Sequence, residues 1–188
     1  MAIRIGVNME NVGLSHPLHI DTIHVPDFGG CIGLTHCPGR KCAGPSTESG
    51  QRDLDADLRA IQAWGAELLV SLIEKHEYAA AGVEALPQRI PEGMAHLELP
   101  IRDMAIPDEA WEIAWLEKSP IIRSILRRGG RICVHCMGGF GRSGLVAAKI
   151  LTEFGIRPDR ALHSVREARP GTVETPDQEN YVLTRCIQ

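Results

Sequence analysis

Cys136 is the residue of this sequence best placed to act as a nucleophile. It stands in His135-Cys136-Met137-Gly138-Gly139-Phe140-Gly141-Arg142-Ser143-Gly144, between the apolar run Arg131–His135 and the apolar stretch Ser143–Phe154. The segment reads as strand, glycine-rich loop, helix. Three glycines let backbone amides turn inward as an anion-binding nest. The N-terminus of the following helix adds free N–H groups and partial positive charge. A cysteine facing that concavity is expected to be a thiolate near neutral pH, because such surroundings lower a thiol pKa from ~8.5 to ~3.5–7.5. Arg142, six residues on, is expected to lie across the loop's mouth. Its planar fork can hold two oxygens of a phosphoryl group at once. Backbone groups of Met137, Gly138, Gly139, Phe140 and Gly141 would complete the cradle. Ser143 can hydrogen-bond the sulfur and stabilise it as a leaving group. His135 is expected to order the loop from below rather than act as a base.

Displacing an alkoxide or phenoxide also needs a proton, which a carboxylic acid on a separate loop can supply. Asp103, in Leu99-Pro100-Ile101-Arg102-Asp103, directly follows an apolar strand candidate. Asp108 is its rival, but it follows Pro107 in a helix-opening sequence, where an acid partners the helix dipole. Gln178 has two readings. It could position a hydrolytic water, and Thr175-Pro176-Asp177-Gln178 is also a capping box with proline at the first helical position. The cap is the favoured reading. Cys133-Val134-His135-Cys136 has the Cys-x-x-Cys form of a redox pair, but a redox pair leaves the glycines and Arg142 without purpose. Cys133 is therefore expected in the core.

These residues must be held by a regular frame. Leu18–Val25, Gly30–Thr35, Glu67–Ile73, Ala95–Ile101 and Arg131–His135 read as strands, with Ala2–Val7 as a further candidate. Leu54, Leu58, Ile61 and Trp64 fall on one helical face, closed by Gly65. A short helix is expected around Glu77–Ala81. A long one should run from Pro107 to about Arg128, with Pro120 as a possible interruption and Gly129-Gly130 as its stop. Pro158–Ala168 and Pro176–Cys186 read as the last two helices. Strands alternating with helices predict an α/β fold, one domain over residues 1–188, with a largely parallel central sheet flanked by helices. In such sheets ligands bind beyond the carboxyl ends of the strands, where the Cys136 loop begins. Residues 1–27 are left as an unassigned N-terminal extension.

Composition narrows the partners. A net charge of −4 leaves no footprint for nucleic acid or an anionic membrane. The N-terminus lacks a signal-peptide pattern and no apolar run reaches the ~20 residues of a membrane span, so a cytoplasmic protein is expected. Cys31, Cys37 and Cys42 with His36 invite a zinc reading, but their gaps lack the Cys-x2-Cys knuckle. No metal and no cofactor are expected.

The spacing His135-Cys136-x5-Arg142-Ser143 resembles the motif of the cysteine-based protein tyrosine and dual-specificity phosphatases. Pro100-Ile101-Arg102-Asp103, followed by Pro107-Asp108, is similar to the acid loop of the kinase-associated phosphatase type. Gly33-Leu34-Thr35-His36-Cys37-Pro38-Gly39-Arg40-Lys41 is similar to that type's early loop. The resemblance spans roughly residues 28–185. It implies a protein tyrosine phosphatase-like fold, Asp103 as the acid and a phosphorylated protein or peptide as substrate. The loop has no lysine, which argues against phosphoinositides, and Phe28 is the sole aromatic candidate for a deep phosphotyrosine wall. A shallower site for phosphotyrosine and phosphoserine/threonine is expected. The alternatives are a phosphatase of a small molecule, phosphoinositide or RNA 5′-phosphate, a cysteine-loop sulfurtransferase or arsenate reductase, and a non-catalytic phosphopeptide-binding module.

Overall fold

The computed structural model describes residues 17–41 and 51–186, which form one α/β domain. The strand candidate Ala2–Val7 and Cys42 lie outside the described residues. The described strands are β1 (Asp21–His24), β2 (Cys31–Thr35), β3 (Ala66–Ser71), β4 (Ala95–Glu98) and β5 (Arg131–His135). They form one sheet in the order β1-β2-β5-β3-β4, with β1 antiparallel and every other pairing parallel. The chain thus inserts its last strand at the sheet's centre. β1 falls within the stretch set aside as an extension, yet it is an integral edge of the sheet.

Helices α1 (Leu54–Ala63) and α2 (Lys75–Ala80) cover one face. Their Leu58, Ile61 and Tyr78 pack with Leu69 and Cys133. The other face carries α3 (Glu109–Arg127), α4 (Gly141–Glu153), α5 (Pro158–Ala168) and α6 (Pro176–Arg185), and there Trp115, Ile122, Leu145, Val165 and Val182 pack with Ile132 and Val134. Successive side chains of β5 therefore alternate between two apolar layers, as a central parallel strand requires. α4 is buried from Gly141 to Thr152, the pattern of a helix wrapped on all sides.

Several element bounds differ from the sequence reading. β4 ends at Glu98, although Leu99 and Ile101 beyond it still donate to Ser71 O and Leu72 O. α3 runs unbroken through Pro120, which lies on its exposed side, while Trp111, Trp115, Ile122 and Leu126 anchor its inner face. α4 starts at Gly141 rather than Ser143, so Arg142 belongs to its first turn. A 3-10 helix, Leu86–Gln88, was not foreseen.

Candidate active site

The loop after β5 closes around Cys136, which is 3% exposed. Gly139 N–H donates to its Sγ at 3.2 Å, and Ser143 Oγ lies 3.5 Å from the same sulfur. Gly139 has φ +79°, and a Cβ there would meet Thr35 O at 2.5 Å. Only glycine lets the loop turn its amide onto sulfur while pressing against the end of β2.

Four carbonyls of this segment are tied. Met137 O accepts from Cys37 N–H at 3.1 Å and from Arg40 Nη1 at 3.3 Å. Gly138 O accepts from Arg169 Nη2 at 3.2 Å, and Phe140 O from the N–H groups of Gly144 and Val173. Cys136 O accepts from His135 Nδ1 at 3.2 Å. With Nδ1 carrying the proton, His135 Nε2 accepts from Ser71 Oγ at 2.6 Å, and Ser71 in turn faces His96 Nε2 at 2.8 Å. His135 is fully buried, and that burial pushes its pKa down to about 3. It is held neutral under the loop.

Arg142 is buried, and its fork is gripped from behind. Nη1 donates to Glu77 Oε2 at 2.6 Å and to Ile101 O at 3.0 Å, and Nη2 donates to Glu77 Oε1 at 2.9 Å. Burial alone would raise the Glu77 carboxyl, but the Arg142 hydrogen bonds and the N–H of Glu74 outweigh it, and the group sits below its ordinary value. Nη2 also meets Asp103 Oδ1 at 2.8 Å, whereas Nε is buried without a partner. That free donor, beside an exposed and displaceable carboxylate, is what a second oxyanion would take up.

Asp103 therefore comes to the site, 66% exposed on its side chain, in a turn followed by Met104 at φ +58°. Asp108 does not. It is the N-cap of α3 and accepts from Trp111 N–H at 2.8 Å. Gln178 is wholly buried and does cap α6. Its Oε1 accepts from the Glu174 and Thr175 N–H groups, while Nε2 donates to Ala105 O, two residues past Asp103. The cap thus also pins the Asp103 loop.

The remaining cysteines divide cleanly. Cys133 points into the layer opposite Ile132 and Val134, away from a redox partnership with Cys136. Burial raises the thiols of Cys37 and Cys133 to about 12 and that of Cys186 to about 11, which leaves them inert. Cys31 and Cys37 lie at opposite ends of β2, so they do not assemble with His36 around a zinc ion. Sequence reasoning missed Glu77, Ser71 and His96, and placed Arg40 only in the early loop. Nothing in their spacing marks them.

A family model described as "Polymorphic toxin system, DSP-PTPase phosphatase" matches residues 43–156, more than half of the chain. This chain belongs to that family. Among relatives of a DSP-PTPase phosphatase of this kind, the tyrosine-protein phosphatase CDC14 of Saccharomyces cerevisiae is 33% identical over 87 residues, which cover 46% of this chain and 15% of that protein. Cyclin-dependent kinase inhibitor 3 of Homo sapiens is 27% identical over 172 residues, covering 88% of this chain and 77% of that one. The chain thus spans a small part of the yeast relative and most of the human one. A crystal structure of kinase associated phosphatase, its catalytic-site cysteine replaced by serine, superposes with a TM-score of 0.76 at 26% identity, covering 89% of this chain and 93% of that one.

Proposed function

We propose that the chain hydrolyses phosphotyrosine and phosphoserine/threonine in proteins through a phosphorylated Cys136. The observation that carries this is the pairing of a sulfur held by an inward amide with the buried, unpartnered Nε of Arg142. Entry of the phosphoryl group displaces Asp103 from Arg142. Cys136 Sγ then bonds to phosphorus as the P–O bond to the leaving group breaks, and Asp103, which takes a proton from solvent once it is off Arg142, gives that proton to the departing oxygen. Equatorial charge spreads onto the loop amides and Arg142. Water next attacks phosphorus, Asp103 takes its proton, and the S–P bond breaks with Ser143 hydrogen-bonding the released thiolate. One Nε2 hydrogen of Gln178 remains for that water. Kinase associated phosphatase, by its name, acts in the company of a kinase, and the acid loop similar to that type supports a protein substrate. Phe28 packs edge-on against Phe154 at 5.1 Å, at the end of β2 away from Cys136, so it walls no pocket. That favours the shallower, dual-specificity reading over a phosphotyrosine-only one.

The test is turnover of p-nitrophenyl phosphate, phosphotyrosine and phosphoserine peptides in a chelating buffer. Turnover should persist in EDTA, and Cys136→Ser should abolish it while still capturing phosphopeptide. Activity that survives Cys136→Ser would end the proposal, and activity confined to nucleotides or inositol phosphates would end its protein-substrate half.

A further inference from the structure

We propose that Arg40 and Arg169 are positioning residues, a pair of guanidinium clamps on the outward carbonyls of Met137 and Gly138 that aim the next amide of each peptide unit into the phosphate cradle. The inference rests on the phosphatase reading of the loop and says how that loop keeps its shape. A trans peptide unit is planar, with its C=O and N–H pointing in opposite directions. Fixing a carbonyl outward therefore fixes the following N–H inward.

The Gly138–Gly139 unit shows the result. Arg169 Nη2 holds Gly138 O at 3.2 Å on the outside, and Gly139 N–H meets Cys136 Sγ at 3.2 Å on the inside. The Met137–Gly138 unit repeats the arrangement, with Arg40 Nη1 and Cys37 N–H on Met137 O, so that Gly138 N–H turns toward the same cradle. Both clamps are themselves anchored. Arg169 lies over the Phe140 ring at 4.2 Å and pairs with Asp21. Gly39, next to Arg40, donates to the buried carboxylate of Asp57 at 2.8 Å, and Asp57 is held by Arg52.

A second observation singles out these arginines. Among the described residues, the buried side-chain nitrogens and oxygens without a partner are the Nε atoms of Arg40, Arg142 and Arg169, and all three arginines border this loop. Leaving a buried cationic donor unsatisfied destabilises a fold. Concentrating three around one loop favours the arrival of a dianion there.

Arg40 gives the cleaner test, since Cys37 N–H still holds Met137 O when it is replaced. Loss of one oxyanion donor costs about 10²- to 10³-fold in kcat. Loosening one donor's aim should cost less, about tenfold on the same scale. Arg40→Met should lower kcat for p-nitrophenyl phosphate by about that factor, with KM changing much less, and weaken orthovanadate binding by calorimetry about as much, while the melting temperature stays put. Arg40→Lys, which keeps a cationic donor, should recover part of both. Unchanged kcat and vanadate affinity in Arg40→Met would overturn the proposal, as would a loss of activity matched by a loss of folded protein. Vanadate binding requires no turnover. A wild-type chain that binds vanadate yet hydrolyses no phosphoester would therefore defeat the phosphatase reading and leave the clamp standing.

Discussion

Asp103 occupies two positions in the proposed cycle, and the consequences have opposite signs. In the resting site its carboxylate sits 2.8 Å from Arg142 Nη2, where it competes with an incoming phosphoryl oxygen. During turnover it must leave that position and carry a proton to the leaving group. Asp103→Ala should therefore bind inorganic phosphate or vanadate more tightly than the wild type. It should also slow release of a poor leaving group, such as the alkoxide of phosphoserine, by about 10²-fold, the usual worth of a positioned acid, and hardly slow p-nitrophenolate. Inhibition constants for vanadate and kcat for the two leaving groups separate the effects. Asp108→Ala should do neither, because its carboxylate caps α3. If Asp108→Ala gives the leaving-group pattern and Asp103→Ala does not, the acid has been assigned to the wrong residue.

Strand, loop and helix around Cys136 were legible because all their information is local. The apolar run of β5, three glycines and an apolar helix follow one another without a gap, and Ser143 and Arg142 fall in place by spacing alone. The capping box of α6 and Gly65 were legible for the same reason. Glu77 was not, because its partner Arg142 lies 65 positions away, and only the neighbouring places of β5 and β3 in the sheet bring the start of α2 to the start of α4 across the strand ends. Ser71 and His96 belong to strands that must pair before their side chains meet beneath His135. At this scale the sharpest test is Gly139→Ala. The residue sits at φ +79°, and its new methyl would lie 2.5 Å from Thr35 O and 2.7 Å from His36 N. Both obstacles are backbone, so the loop must move rather than a side chain. The amide on Cys136 Sγ should be lost, and kcat should fall by about 10²-fold or more, as for a missing oxyanion donor, while circular dichroism shows the fold intact. Wild-type kcat in this variant would mean that the Gly139 amide does not act on the sulfur.

Across the whole molecule, the buried histidines tie the site's rigidity to stability against acid. His135 is pushed to about 3 by burial, and burial lowers His36 and His96 as well. His135 stays neutral in the fold at pH values where the unfolded chain, near 6.5, takes up a proton, and the lowered His36 and His96 act in the same direction. The unfolded state then binds more protons, so this contribution is fully present above pH 6.5 and is lost as pH falls from there toward 3. Glu77, held below its ordinary value, adds a loss of the same sign, but only below about 4.5, where the unfolded carboxyl begins to protonate. The window between pH 6.5 and 5 thus belongs to the histidines. At about 1.4 kcal/mol per pH unit for each such group, His135 alone should remove about 2 kcal/mol of unfolding free energy across that window. Urea unfolding at pH 6.5 and at pH 5 should show this loss in the wild type. His135→Gln keeps a polar group toward Ser71 and cannot titrate, so its loss should be smaller by about that amount. Equal losses in the two proteins would mean that His135 takes its proton inside the fold. The neutral pillar beneath the Cys136 loop would then be charged at mildly acid pH: its Nδ1–H would still hold the carbonyl of Cys136, but a new Nε2–H would face Ser71 Oγ, which could no longer donate to the ring.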